Sequence, residues 1–393
     1  MHAQQSAGTT HFTVVGNPGS RRVAQFATAV RSAGCPEPAV LAWRDVLRGD
    51  IALRAGTLLR VDSPGEDDEV DRLLRGSALG AGWAPTRVEG GAVWYRGFTS
   101  ALRALAAAAA ATPGCTMLGD TDETATMFDK RLTHALLDAA GVPVPTALDQ
   151  GGGALRGWED LRERLLLSGM RRVFVKPAHG SSGSGVVALE LGAGGRARAT
   201  TSAELVRSDT DGTRLFNSLR VRRYTEESDL RALFDALTAE PLHVERWLPK
   251  AGQHGRSADL RVVVTDGRAT HAVLRTSLHP MTNLHLGGAR GDLDLMREAA
   301  GAQWTRLLDT CEQVAECFPR SPMVAVDVLP GIGWRSHAVG EVNAYGDLLP
   351  RLTGLPSGPA AGQDTYSAFV TAVLRRRAAP TAAARSYRQR VSS

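Results

Sequence analysis

Apolar residues fall in two spacings along the chain, and the alternation between them predicts its elements. Residues 12–15 form a short, mostly apolar run closed by Gly16-Asn17-Pro18-Gly19, the pattern of a buried strand. Residues 21–33 then carry apolar side chains at helical spacing. Residues 40–43, 57–61 and 92–95 predict further short strands. Strands alternating with helical stretches predict a small α/β sheet in the N-terminal part of the chain, ended near Pro113 and Gly114. Residues 124–140 predict one helix, closed by Gly141 and then Pro143 and Pro145. Helices are expected at 158–167 and 227–239, and a longer one at 298–317. Strands are expected at 173–175 and 186–189 around a Gly/Ser loop, then at 243–247, 260–265, 270–274, 323–329 and 338–343. Residues 202–224 read as an inserted strand or hairpin. Beyond Ala378 the chain is rich in Ala, Arg, Thr and Ser, which predicts a disordered tail.

Composition narrows the class. The chain has 393 residues with 43% hydrophobic and 22% charged side chains, enough for two or three packed units of an ordinary globular protein. No apolar run is long enough to span a bilayer, and the N-terminus carries no basic-then-apolar signal pattern, so a cytoplasmic protein is expected. The four cysteines, Cys35, Cys115, Cys311 and Cys317, fit no zinc spacing and read as free thiols. A net charge of +5 raises the question of nucleic acid, but the basic residues are scattered without interleaved aromatics, so none is expected as a partner. The basic set is more telling. Of 46 Lys plus Arg, only Lys130, Lys176 and Lys250 are lysine.

Two clusters carry chemistry. In the first, a strand delivers Lys176 into Pro177-Ala178-His179-Gly180-Ser181-Ser182-Gly183-Ser184-Gly185, and a second strand follows. Small residues let backbone N–H groups approach an anion, hydroxyls add donors, and lysine supplies a point charge for phosphate oxygens. A P-loop is excluded because Gly185 is followed by Val186 rather than Lys-Ser/Thr. A dinucleotide fingerprint is excluded because a strand, not a helix, comes next. The plain alternative is a flexible surface hairpin. In the second cluster, side chains alternate along a strand, so Glu341 and Asn343 share a face. The turn at 330–336 lets the preceding strand pair back and bring Asp327 to that face. Three hard oxygen donors suit Mg²⁺, with nucleotide phosphates completing the shell. The plain alternative is a pair of solvated acids beside a turn.

With both clusters in place, residues 124–350 resemble the ATP-grasp superfamily, and within it the glutathione synthetase and ribosomal-protein glutamate ligase (RimK-type) branch. Phe128-Asp129-Lys130 and the Gly141-Val142-Pro143-Val144-Pro145 stretch resemble the first nucleotide-binding lysine and its helix. Lys176 and the loop through Ser181, Ser182, Gly183 and Gly185 resemble the second lysine and the phosphate loop. Glu245-Arg246-Trp247-Leu248-Pro249 resembles the adenine-binding hinge, and Asp259-Leu260-Arg261 the strand after it. Arg275 and Asn283-Leu284-His285-Leu286-Gly287-Gly288 resemble the arginine and loop near the reacting phosphate. Asp327, Glu341 and Asn343 match the metal ligands. Ala344-Tyr345-Gly346-Asp347 departs from the small residues usual after that asparagine.

The resemblance implies an α/β ATP-grasp fold behind an open α/β N-terminal domain. Its units would be 1–113 for substrate, 114–243 for the lid lobe, 244–378 for the metal-bearing lobe, and the tail 379–393. It implies ATP and two Mg²⁺ ions, or Mn²⁺ in their place. Lys130 and Lys176 would hold phosphates. Arg261 and Arg275 would be catalytic, stabilising the transferring phosphoryl group, and Glu245, Trp247, Leu248 and Asp259 would contact the nucleotide. Asn283, Gly287, Gly288, Arg21 and Arg60 would face the substrates, the two arginines because they lie at the carboxyl ends of N-terminal strands. The expected reaction joins a carboxylate to an amine through an acyl phosphate. The acceptor is left open between a small molecule and a peptide or protein, as is homo-oligomerisation. Two alternatives stand beside the ligase: a kinase-like ATP-grasp phosphotransferase, and a nucleotide-binding regulator.

Overall fold

The computed structural model describes residues 9–76, 83–149, 151, 153–180, 183–208, 212–282 and 287–378. The expected tail 379–393, together with Ser181, Ser182 and Asn283, lies outside the described residues. The first part of the chain runs β1 (His11–Gly16), α1 (Arg21–Ser32), β2 (Ala39–Ala42), α2 (Trp43–Arg48), β3 (Thr57–Val61), α3 (Asp68–Arg75), α4 (Gly91–Ala111) and β4 (Thr116–Leu118). Its strands form one parallel sheet in the order β2-β1-β3-β4. The crossover from β1 goes to β2 on one side and that from β2 passes back over β1 to β3 on the other, which places a topological switch point between the carboxyl ends of β1 and β3.

The middle of the chain runs α5 (Thr121–Met127), α6 (Lys130–Ala139), α7 (Trp158–Leu167), β5 (Arg172–Pro177), β6 (Val187–Leu191), β7 (Ala197–Ser208), β8 (Gly212–Tyr224), α8 (Glu227–Leu237) and β9 (Leu242–Arg246). Here the sheet is antiparallel, in the order β8-β7-β6-β5-β9. Alternation decides its two faces. Val173, Val175, Val187, Leu189 and Val244 are buried under α7 and α8, where Trp158 stacks on Phe234 with centroids 5.1 Å apart. Phe174, Lys176 and Glu245 fall on the other face.

The last part holds β10 (Gly252–Gln253), β11 (Arg256–Thr265), β12 (Arg268–Ser277), β13 (Ala289–Arg290), α9 (Leu293–Ala300), α10 (Ala302–Glu316), β14 (Met323–Pro330), β15 (His337–Asn343) and α11 (Thr365–Ala378). Its sheet runs β13-β12-β11-β14-β15, with β10 paired to β11. One face buries Leu260, Val262, Val264, Val326 and Val328 against Leu307, Cys311 and Val314 of α10. The opposite face is divided along its length. Val263, Met323 and Ala325 pack with α11 and with Phe12, Val14 and Phe26 of the N-terminal unit, and farther along it carries Asp259, Arg261 and Asp327. Among the described residues no helix is long and apolar enough to cross a membrane.

The mixed α/β fold with several sheets is the class expected, but some elements differ. Residues 92–95 are not a strand; they lie in the first turns of α4, a 21-residue helix entered through the left-handed Gly90, φ 91°. A four-residue apolar run is too short to fix its own period. Residues 124–140 form two helices because the Asp129 side chain accepts from the N–H groups of Arg131 and Leu132 and caps a new start. Residues 298–317 break at Gly301, φ 51°. Of residues 202–224, those described lie in β7 and β8, which pair antiparallel.

Candidate functional site

Lys130 is the first residue of α6. Its backbone N–H donates to Ala178 O at 3.0 Å, and its Nζ donates to Gly180 O at 2.5 Å and pairs with Glu341 Oε1 at 3.0 Å. One side chain thus ties the root of the Gly/Ser loop to β15. Lys176 projects from the open face of β5. Its Nζ lies 2.6 Å from Glu245 Oε1 and donates to Gly340 O at 3.4 Å. Glu245 also accepts from His243 Nε2 at 3.0 Å. Burial alone would raise the Glu245 carboxyl, but the Lys176 charge and the His243 bond outweigh it and hold it at about 2. Gly185 keeps φ at 67°, and a Cβ there would lie 2.6 Å from Val88 Cγ1 and 2.9 Å from Pro177 Cγ, so the loop closes only with glycine.

Opposite this face, register sets a charged row across the other sheet. Arg261 pairs across from Asp327, and Asp327 across from Glu341. Asp259 pairs across from Arg275. Arg261 grips Asp327 with both prongs, Nε to Oδ1 at 2.7 Å and Nη2 to Oδ2 at 2.8 Å, while Arg275 Nη2 reaches Oδ2 at 3.1 Å. Arg275 Nε donates to Asp259 Oδ1 at 2.7 Å, and the Thr282 hydroxyl donates to Asp259 Oδ2. Burial works to raise the Asp327 carboxyl, but the two guanidinium charges prevail and hold it well below the usual carboxylate range. The same carboxylates push Arg275 upward against its own burial. Asn343 stands opposite Ala325, two positions from Glu341, and its amide donates to Ala325 O at 3.5 Å, leaving its carbonyl oxygen as an acceptor.

The two faces enclose a cleft of about 710 Å³, open to solvent, with Lys130, Lys176, Glu245, Asp259, Arg275, Asp327 and Glu341 in its lining. Among the described residues no three His, Cys, Asp or Glu side chains form a metal-ligand group. The donors here are two carboxylates and an amide, and that set fits a hard divalent cation which takes its remaining oxygens from a ligand.

The other expected site residues lie apart from that row. Trp247 packs on Phe174 with centroids 5.3 Å apart and under the Arg172 guanidinium at 4.1 Å, and Leu248 is half-buried beside it. Gly183, at φ 75°, lines the cleft; Gly287 is exposed, its carbonyl accepting from Arg256 Nη2 at 3.3 Å; and Gly288 is half-buried. The two N-terminal arginines differ in setting. Arg21 is exposed on α1 with its side chain outside the polar cluster, and Arg22 turns inward instead. Arg60 is 3% exposed and is not an open anion receptor. Its Nη2 lies 2.5 Å from Asp347 Oδ2 and 3.6 Å from Asp62 Oδ2, and its guanidinium lies 4.4 Å over Phe369. Sequence reasoning left Lys250, Phe174, His243 and Thr282 out of the site. Only Lys250 carried a signal, its scarcity as a lysine.

No family model and no curated protein matches the chain by sequence. Solved structures do match in shape. D-cycloserine synthetase DcsG is 16% identical over 93% of this chain and 99% of that one, with a TM-score of 0.51. ATP-grasp ligase PsnB complexed with its minimal precursor is 17% identical over 94% and 99%, with a TM-score of 0.49. N5-carboxyaminoimidazole synthetase from Staphylococcus aureus complexed with ADP is 10% identical over 93% and 78%, with a TM-score of 0.46. The likeness to D-cycloserine synthetase at this identity is one of fold.

Proposed function

We propose that this chain is an ATP-dependent, Mg²⁺-dependent carboxylate–amine ligase of the glutathione synthetase and RimK-type branch. The observation that carries the reading is the single cleft in which Lys130 and Lys176 face Arg275, Asp327 and Glu341 from an opposing sheet. Phosphoryl transfer is governed by positioning and charge neutralisation, and such an array supplies both. Lys130 and Lys176 bind phosphate oxygens, exchanging Glu341 and Glu245 for the nucleotide's charge. Asp327, Glu341 and Asn343 would hold Mg²⁺, which when bound would supply charge neutralisation at the phosphate oxygens. Arg261 and Arg275, released from Asp327, stabilise the transferring phosphoryl group and the oxyanion formed when the amine attacks the acyl phosphate. Closure of the Gly/Ser loop, hung from Lys130, keeps water from the acyl phosphate. Adenine rests near Phe174, Trp247 and Leu248.

In this reading residues 1–113 contribute to binding the acid, residues 114–243 form the lid and residues 244–378 hold the metal. The cleft of about 500 Å³ where Arg60, Leu118, Thr121, Tyr345 and Phe369 meet is the place for the organic substrates, small molecules or a peptide segment. Its polar wall is Arg60 held by Asp347, so a substrate there meets a neutralised arginine rather than a free cation.

The test has two arms. ADP release is screened across amino acids, dipeptides and small carboxylates with and without amines, and hydroxylamine is added to trap an acyl phosphate. Release that needs an acid, with hydroxamate formed, is expected; ADP release on a hydroxyl acceptor without hydroxamate indicates a phosphotransferase instead. In the second arm Lys176→Ala and Glu341→Ala are titrated with Mg·ATP. Each is expected to lose about tenfold or more in affinity, as a lost charge-assisted contact of about 1.5–3 kcal/mol requires. Unchanged affinity in both would falsify the reading.

A further inference from the structure

All three lysines of the chain line the same cleft, although they make up three of its 46 cationic Lys and Arg residues and lie far apart in sequence. Lys130 and Lys176 each have a carboxylate partner, Glu341 and Glu245. Lys250 differs. Its Nζ donates to Pro280 O at 3.0 Å and to Thr282 Oγ1 at 3.4 Å, both neutral acceptors. Among the described residues no carboxylate is recorded in an ion pair with it. Asp259 is near, but its two oxygens are taken by Arg275 and Thr282. An ammonium has three N–H donors, so one is left over, in a side chain that lines the cleft.

The charged groups around Lys250 are Lys176 and Arg275, which repel it, and Asp259 and Asp327, which attract it but are already engaged by other donors. Burial pushes its ammonium down from the usual lysine range. A half-buried cation whose hydrogen-bond partners are neutral is unfavourable until an anion joins it. A ribose hydroxyl or an adenine nitrogen is neutral and does not meet that demand, whereas a phosphate oxygen does. A role confined to holding the Pro280–Thr282 backbone does not require a full positive charge.

We propose that Lys250 is a third phosphate-contacting lysine, whose remaining N–H donates to an oxygen of the polyphosphate of the nucleotide bound in this cleft. The inference rests on the nucleotide reading of the site given above. It makes the positive wall of the cleft three-sided: Lys130 from α6, Lys176 from β5 and Lys250 from the turn before β10.

The full-length chain tests it with Lys250→Met, which keeps length and packing, titrated with Mg·ATP beside wild type, Lys176→Ala and Glu341→Ala. The expected result is a loss of tenfold or more in Mg·ATP affinity for Lys250→Met, with the ligand-free unfolding midpoint within about 1 °C of wild type, which for a chain of this length is a change of about 1 kcal/mol or less. Wild-type affinity in Lys250→Met, while Lys176→Ala and Glu341→Ala lose theirs, overturns the inference and leaves the nucleotide reading standing. Wild-type affinity in all three variants removes the reading itself. Where Lys250→Met does not fold, amine-selective labelling of wild type decides, since each of the three lysines is resolved by peptide mass. Lys250 labelling is expected to slow at least fivefold in Mg·ATP and not in adenosine. Equal labelling with and without Mg·ATP overturns the proposal.

Discussion

Glu245 is 2% exposed between Lys176 and His243, and its ionised form stabilises the fold until the pH falls far enough for the carboxyl to take up a proton. A carboxyl held at about 2 contributes stability that is complete above the unfolded-state pKa near 4.5 and is lost as pH falls through the folded value. Glu245→Gln is therefore expected to lower stability by about 3 kcal/mol at pH 7, because Lys176 keeps its burial and loses its partner. The gap to wild type should narrow between pH about 5 and about 2. Urea unfolding of both proteins across that range checks it, and a gap independent of pH sinks the assignment. Residue types pointed to Lys176, Asp327 and Glu341, because few side chains suit phosphate or a hard cation and those few stood in or beside strand patterns, whereas Lys130 came from the resemblance. Nothing local distinguished Arg22 from Arg21. Which of the two turns inward depends on how α1 lies on its sheet.

At the scale of elements, close approach decides what propensity does not. Gly97 lies inside α4, where glycine is ordinarily worth about 1 kcal/mol less than alanine. Here an added Cβ would stand 2.5 Å from Leu74 O of α3, so the two helices touch through backbone. Gly97→Ala is expected to reverse the usual sign and cost about 1–3 kcal/mol, the penalty of forcing packed elements apart. Chemical denaturation measures it; a stabilised variant would show that α3 yields freely. The same scale explains the misread elements. Strands were legible at β5, β11 and β14 because each holds a Val-rich, β-branched stretch, alternating in β5 and buried almost throughout in β11 and β14. They misled at residues 92–95, where four residues carry too little period and the helix depends on twenty-one. The 124–140 and 298–317 stretches kept a helical period across a break, and the breaks were set by Asp129 as a cap and Gly301 as a left-handed joint.

The whole molecule is joined by charge as well as by apolar packing. Asp347, on the segment that follows β15, is fully buried against the N-terminal sheet, 2.5 Å from Arg60 and, through Oδ1, 2.9 Å from Arg22. Its backbone carbonyl accepts from Thr365 at the start of α11 at 2.6 Å. Burial opposes the ionised Asp347, and the two arginines outweigh it and lower its pKa. Removing one member leaves buried charge unmatched. Asp347→Asn is expected to cost about 3–5 kcal/mol, whereas exchanging Arg60 and Asp347 together for apolar residues should recover much of that loss. Equilibrium unfolding of the single and double variants decides; a single variant within about 0.5 kcal/mol of wild type would mean the network contributes little.

The sequence by itself determined the fold class, most strand positions and the chemical kinds of side chain offered to a ligand, because period and residue type are local properties. Tertiary structure alone decided that segments near residues 130, 176, 250, 260, 275, 327 and 341 line one cleft, and that Arg60 is spent on Asp347. Those outcomes depend on register between strands and on which face each sheet turns toward its neighbour. No spacing along a single stretch of chain encodes either.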